Sequence, residues 1–120
     1  MEKRTEGLWL IWYDGAPGDG RGVIVLHEGK ILGGESAWYY SGTYDTDESG
    51  IDGSMTLTHY GKPSSKSVGG HSRAQSPVDL AIAGRWIDDN TIGAHVEPVD
   101  GGPRMEFEMR RQVSTGRVIL

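Results

Sequence analysis

The segment "RMEFEMRR", residues 104–111, has the strictest alternation of apolar and charged side chains in the chain. From 105 to 110, odd-numbered positions carry apolar side chains and even-numbered positions charged ones: Met105, Phe107 and Met109 against Glu106, Glu108 and Arg110. A period of two places successive side chains on opposite faces of a β-strand, one against the core and one in water. The segment therefore predicts an antiparallel strand with one buried face.

The same period recurs along the chain, in stretches bounded by turn-forming residues. Seven more strands are predicted on this basis: "GLWLIWYD" (7–14), "GRGVIVLHEG" (20–29), "ILGGES" (31–36), "AWYYSGTYD" (37–45), "GSMTLTHYG" (53–61), "VDLAIAGRW" (78–86) and "TIGAHVEP" (91–98). No segment of ten or more residues shows the 3.6-residue period of a helix, so the predicted fold class is all-β. The first stretch is apolar at both parities, which predicts a strand covered on both faces. The sequence "HEGK" at 27–30 predicts a tight hairpin.

Eight strands joined mostly by short turns predict an antiparallel up-and-down β-barrel, with a two-sheet sandwich as the alternative. Closure removes the two exposed edges that an open meander would leave. The interior of an eight-stranded barrel is filled by side chains or holds one small ligand. The 120 residues contain no linker and no repeat, which predicts a single domain over 1–120. The polar segment 61–77 is predicted to be a loop with a short strand around Lys66 to Gly70.

Composition excludes several classes of function. The net charge is −5, and the nearest approach to a basic stripe is four side chains without aromatic neighbours, so direct nucleic-acid binding is not expected: Lys62, Lys66, His71 and Arg73. The absence of cysteine excludes disulfides, thiolate catalysis and cysteine-based zinc sites. The longest aliphatic run is "VIVL", far short of the ~18 residues of a membrane helix. The charged N-terminus "MEKRTEG" does not look like a secretory signal, so the expected location is the cytoplasm.

The acidic stretch "YDTDESGIDG", residues 44–53, has three possible roles: a calcium loop, a solvated hairpin tip, or a surface for a partner. Asp45, Asp47, Ser49 and Gly50 match the first four requirements of an EF-hand loop. Thr56 stands where the loop needs a bidentate Glu, and strands flank the stretch where helices are required. Calcium binding is therefore not expected. Asp52 is assigned to the turn that leads into the next strand.

Other chemistry-bearing residues show no catalytic or metal-binding pattern. The four histidines lack metal-ligand spacing, and no glycine pair precedes a helix that could bind phosphate. An enzyme would need His59 or His95 within hydrogen-bond reach of Glu35, and no nucleophile motif supports one. We therefore predict no enzymatic activity, metal or cofactor. Glu35, expected to be half-buried, either points into a polar cavity or anchors a bulge through backbone N–H groups, and the anchoring role is favoured.

Four motifs between residues 7 and 44 give the chain a resemblance to a known family. They are Gly7 with Trp9, Gly20-x-Gly22-Val23, Gly29-x-Ile31-x-Gly33-Gly34-Glu35, and Tyr39-Tyr40-x-Gly42-x-Tyr44. With these motifs the chain resembles the GrlR-like family of bacterial proteins, whose namesake is a negative regulator of type III secretion genes. The resemblance covers about a third of the chain well and extends weakly, through Ser67-Val68-Gly69 and Gly84, to about residue 97.

The resemblance implies a fold, an assembly and a mode of action. The implied fold is a small lipocalin-like β-barrel that forms homodimers. The implied function is inhibition by protein–protein contact, in which a transcriptional activator is sequestered through an acidic loop without DNA binding. Asp47 and Glu48 match the two central acids of that loop, and Asp45 adds a carboxylate one position earlier, so these three are the candidate partner-binding residues. The alternative is a barrel that carries a small apolar ligand or lipid.

Overall fold

The computed structural model describes residues 4–13, 21–61 and 75–113. Eight strands lie in these ranges: β1 (Gly7–Trp12), β2 (Arg21–His27), β3 (Lys30–Gly34), β4 (Trp38–Thr46), β5 (Gly50–His59), β6 (Val78–Asp88), β7 (Thr91–Pro98) and β8 (Met105–Val113). The short strand predicted around Lys66 to Gly70, and most of the predicted 61–77 loop, lie outside the described residues.

The eight strands form one closed antiparallel barrel in chain order, so the up-and-down barrel is confirmed and the sandwich alternative is wrong. Closure is made by β1 and β8, where Leu10 pairs with Arg110 and Trp12 with Glu108. The turns β2–β3, β4–β5 and β6–β7 lie together at one end of the barrel, called the hairpin end below. Because strands alternate in direction, the described connections β3–β4 and β7–β8 lie at the opposite end.

Alternation along each strand separates the packed interior from the outer face. Twenty-one apolar side chains form one buried core, and its largest fully buried members include Trp9, Trp38 and Tyr40. In β8, Phe107 and Met109 are buried as predicted, while Met105 is half-buried and packs against the same core. Burial of each such side chain contributes about 1.5–3 kcal/mol, so the period-two pattern stabilises the closed form.

The predicted hairpin at "HEGK" is present as a two-residue turn between β2 and β3. Glu28 and Gly29 have positive φ angles of 48° and 80°, as a tight hairpin with right-handed twist requires. A positive φ angle is sterically unfavourable for Glu28, which has a Cβ. The Glu28 N–H donates a hydrogen bond to the Glu6 carboxylate at 2.9 Å, which stabilises the turn. Glu6 itself is only 7% exposed and lies 3.2 Å from His27 Nδ1.

The first strand departs from its prediction of coverage on both faces. Trp9 and Ile11 point into the core, whereas Leu8, Leu10 and Trp12 are half-exposed on the outer face. The reason is the architecture: a barrel has one interior, and the outer side chains of a strand are covered only if another element packs there. The outer face of β1 is therefore apolar and open among the described residues.

Candidate functional site

The acidic stretch forms the β4–β5 hairpin, with a three-residue turn between Thr46 and Gly50. The Asp47 carboxylate closes this turn: its Oδ1 accepts from Ser49 Oγ at 2.7 Å, Ser49 N at 2.8 Å and Gly50 N at 3.1 Å. These bonds, that from the Ser49 hydroxyl first, hold the pKa of Asp47 below its usual value. Asp47 therefore shapes the turn, with one carboxylate oxygen committed to it.

Asp45 and Asp52 are direct cross-strand partners on β4 and β5. Both are exposed on the outer face of the barrel. The assignment of Asp52 to the turn is wrong: it is the third residue of β5, because the turn is shorter than the acidic stretch suggested. Like charges directly opposite each other destabilise a sheet, so this pair has a cost for folding.

The charges around this pair do not neutralise it. Among the described residues, no cationic side chain forms an ion pair with Asp45, Asp52 or the exposed Glu48 at the turn. After the hydrogen bonds from Ser49 and Gly50, the charge of Arg85 also lowers the pKa of Asp47, and Arg104 lies 3.5 Å from Glu106. The carboxylates of Asp45, Asp52 and Glu48 are therefore not neutralised by an ion pair among the described residues.

A groove of about 550 Å³ runs from this hairpin across the outer face of β5–β8, and we call it the acidic groove. The strand registers place one row of side chains across it: Asp45, Asp52, Ala83, His95 and Glu106. Its floor is low at Ala83, the small outward residue between Asp52 and His95, whereas the Ile87 side chain lies beside Gly93. Arg85 and Arg104 stand in its wall, so four carboxylates, including that of Asp47, face two guanidinium groups.

The three predicted partner-binding residues thus lie together on one hairpin, but they differ in role. Asp45 and Glu48 present their carboxylates to solvent, whereas Asp47 is engaged in the turn. Sequence reasoning missed Asp52 and Glu106 as members of the same surface. The pairing of Asp45 with Asp52 follows from the adjacent pair Thr46 and Ile51, which the length of the turn alone does not give, and the approach of Glu106 depends on the registers of three further strand pairs.

Glu35 lies in the β3–β4 connection, at the end opposite the acidic hairpin. Its N–H donates to the Trp38 carbonyl at 2.9 Å, and its own carbonyl accepts from the Tyr60 hydroxyl at 2.8 Å. Burial first, and then the charge of the half-buried Glu35 side chain, raises the pKa of both Tyr13 and Tyr40. These two contacts of Glu35 use its own backbone groups, whereas the favoured prediction is a carboxylate that accepts backbone N–H bonds. The Glu35 side chain places a charge beside two buried phenols.

The histidines considered for catalysis lie on different strands. His95 faces outward from β7 into the acidic groove, while His59 on β5 packs edge-on against the Trp38 ring, with centroids 5.1 Å apart. Within the described ranges, no three His, Asp or Glu side chains converge as a metal site. The residues that resemble a calcium loop are flanked by strands β4 and β5, as predicted from their alternation.

The described part of the chain contains no helix of the length and apolarity needed to cross a lipid bilayer. Comparison of the chain with models of known protein families and with curated protein sequences finds no match.

Proposed function

We propose that this protein is a non-enzymatic regulator that binds a basic surface of a partner protein through the acidic groove. The observation that carries the proposal is the facing pair Asp45 and Asp52. A sheet gains nothing from two like charges in direct register, and local costs of this kind concentrate at functional sites. The pair is therefore best explained by a positively charged ligand.

The spacing of Asp45 and Asp52 suits a single cationic group of a partner protein. Carbon-β atoms of directly opposed residues are about 4.5–5.5 Å apart, so both carboxylates can contact one guanidinium or ammonium group. An arginine fork is the better fit, since it offers several donors in one plane. Binding would then replace the repulsion between Asp45 and Asp52 by attraction, which adds to the gain on complex formation.

The rest of the groove supplies contact area. Exposed charges contribute mainly to association rate and specificity, so a stable complex also needs packed surface. The low floor at Ala83 leaves room for the aliphatic stem of a lysine or arginine to lie flat. Glu48 at the turn extends the negative surface, and on the far side of the groove Glu106 is paired with Arg104 at 3.5 Å.

This chemistry agrees with what the family resemblance implies. A transcriptional activator carries a basic surface where it contacts DNA phosphates, and an acidic groove can occupy such a surface in place of DNA. The alternative of a carrier for a small apolar ligand receives no support from the interior, where Trp9, Trp38, Tyr40 and Met109 are each at most 2% exposed. Homodimerisation and cytoplasmic location remain predictions.

Affinity capture from the producing cell tests the proposal. The double variant Asp45→Asn/Asp52→Asn should lose a partner that the wild type retains, and the wild type should lose it as salt is raised. The double variant Asp89→Asn/Asp100→Asn is the control, because it removes the same charge from exposed positions outside the groove. Capture by all three proteins alike, or capture that salt does not weaken, would contradict the proposal.

A further inference from the structure

The two arginines in the wall of the acidic groove differ in their surroundings. Arg104 is held between two carboxylates, that of Glu106 at 3.5 Å and that of Glu97 at 4.0 Å. Arg85 is exposed and forms no ion pair or hydrogen bond with any of the described residues. The Asp47 carboxylate at the turn accepts from the turn itself and not from Arg85. Arg85 is therefore an unpaired cation in a surface that otherwise carries mainly carboxylates.

The strand registers leave the position beside Arg85 open. Its direct cross-strand partners are Gly50 on β5 and Gly93 on β7. No side chain fits at Gly50, because a Cβ there would collide with the Gly84 carbonyl oxygen. On the β7 side the exposed side chain of Ile87 lies beside Gly93. The guanidinium thus stands over a floor of bare backbone on the β5 side, where a ligand can approach it.

Asp45 and Asp52, the proposed cation site, lie one row away from Arg85. Asp52 is paired with Ala83, which precedes Arg85 by two residues on β6. Diagonal neighbours of this kind are about 7–8 Å apart. No ion pair joins Arg85 to either aspartate. The groove therefore presents a negative site and a positive site side by side, at a separation that one short polypeptide segment can span.

We propose that Arg85 binds a carboxylate of the partner protein, so that the acidic groove selects a segment with one basic and one acidic side chain on the same face. This inference rests on the proposed function, because Asp45 and Asp52 receive the basic side chain. Residues i and i+2 of an extended segment point to the same side and lie about 7 Å apart, which matches the separation of the two sites. A guanidinium suits a carboxylate because it can donate two parallel hydrogen bonds.

Arg85 then decides which basic segments the groove accepts. A groove lined by carboxylates alone would attract any polycation, and the net charge of −5 adds to that attraction. An unpaired guanidinium repels a segment that carries only basic side chains, and discrimination of this kind comes from the penalty on the wrong ligand. Arg85 is thus a specificity-determining residue, while the two aspartates supply the attraction.

Titration of the isotope-labelled full chain with short peptides, followed by amide NMR shifts, tests this selectivity. The probes are blocked five-residue peptides: Thr-Arg-Thr-Glu-Thr, its reverse Thr-Glu-Thr-Arg-Thr, and Thr-Arg-Thr-Gln-Thr, which lacks the acid. The wild type should bind one of the two Glu peptides roughly fivefold more tightly than the Gln peptide. Arg85→Gln should lose this preference. Arg104→Gln is the matched control and should keep it, because Arg104 is already paired within the same groove.

Charge reversal gives a second readout that loss of structure cannot imitate. Arg85→Glu should bind Thr-Arg-Thr-Arg-Thr more tightly than either Glu peptide, which is the opposite of the wild-type order. Equal affinity of the wild type for the Glu and Gln peptides, or an unchanged order in Arg85→Glu, would overturn the inference.

The proposed function is tested separately in the same titrations. Asp45→Asn/Asp52→Asn should lose the Gln peptide, which offers only the basic side chain. If the wild type binds the Gln peptide and the double variant does not, the aspartates act as proposed whatever the result for Arg85. If no peptide binds the wild type, both proposals are contradicted.

Discussion

Asp45 and Asp52 face each other directly across the β4–β5 ladder, on the outer surface of the barrel and without a cationic partner among the described residues. The carboxylates that suit the groove for a basic ligand therefore work against the stability of the sheet. Most proteins lie above their stability threshold by only a small margin, and a binding site is where such a cost is retained. The repulsion between Asp45 and Asp52 can therefore be measured as a loss of folding stability, without knowledge of the partner.

We predict that Asp52→Asn stabilises the protein by about 0.5 kcal/mol, because it removes a like-charge cross-strand contact. Urea unfolding at low ionic strength measures the difference, which should shrink as salt screens the repulsion. Asp100→Asn, at an exposed position in the β7–β8 connection, removes the same charge and should leave stability almost unchanged. Equal stability of Asp52→Asn and wild type at low salt would mean that the carboxylates do not repel each other.

A second prediction concerns the turn residue Asp47, whose pKa is held below the usual 3.8 by hydrogen bonds from Ser49 and Gly50. A depressed pKa means that the folded state binds the proton less tightly than the unfolded state. The stabilisation by the ionised carboxylate is therefore complete above about pH 4 and is lost as the pH falls through the folded-state value.

The melting temperature of wild type and Asp47→Asn, followed from pH 7 to pH 2.5, checks this dependence. The advantage of the wild type should be present at pH 7 and should disappear at the acid end. Asp45→Asn is the comparison, since no hydrogen bond to the turn engages Asp45. A difference between wild type and Asp47→Asn that stays constant over the whole range would contradict the prediction.

The barrel itself was readable from sequence because period two maps directly onto inside and outside. The inward positions of β8 and the hairpin at Glu28 and Gly29 followed from alternation and turn chemistry alone. Alternation does not tell whether the outer face of β1 is covered, because an apolar residue on an outer face looks the same in sequence whether it contacts another element or a second protein. Leu8 and Leu10 belong to that case.

The candidate site was only partly readable. Local composition indicates Asp45 and Glu48. It does not show that Asp52 lies in β5, because the length of the turn is set by the hydrogen bonds of Asp47 and not by the number of acidic residues. Glu106 joins the groove through registers that accumulate over β5–β8, which no local pattern records. Long-range register is a property of the closed sheet, so side chains that share a row remain unrelated in sequence.

A third prediction concerns the buried phenols of Tyr13 and Tyr40, whose pKa values are raised by burial and then by the charge of Glu35. Their contribution to stability is present below the ordinary phenol value of 10.0 and is lost as the pH rises beyond it, because only the unfolded chain ionises there. Phenolate absorbance and circular dichroism, measured together, should show these two tyrosines ionising only as the barrel unfolds.

The variant Tyr40→Phe sharpens that test. Removal of one buried phenol removes one proton that the unfolded chain can lose, so the alkaline unfolding midpoint should move to higher pH. Tyr39→Phe is the control, since Tyr39 is on the outer face and 46% exposed. An alkaline midpoint that Tyr40→Phe leaves in place would show that other groups drive the alkaline transition.

The last prediction concerns Arg111, whose guanidinium lies over the Trp9 ring, 5.2 Å from its centroid. The same group donates to the Arg4 carbonyl, to the Asp89 carbonyl at 2.7 Å and to Asn90 Oδ1 at 3.2 Å. Arg111 thus joins the segment before β1, the β6–β7 turn and β8 at the hairpin end of the barrel. Its planar fork of donors makes these contacts at once, which a lysine ammonium cannot do.

Arg111→Ala should therefore lower the free energy of unfolding by about 2 kcal/mol through lost hydrogen bonds and ring contact, and Arg111→Lys should recover only part of it. Arg110→Ala is a close control: the neighbouring guanidinium also lies 5.2 Å from a tryptophan centroid, that of Trp12, but it is exposed and pairs only with Glu108 among the described residues. Urea unfolding of the three variants decides the matter. Similar losses for Arg110→Ala and Arg111→Ala would assign the effect to charge or ring contact alone, and the bridging role of Arg111 would be wrong.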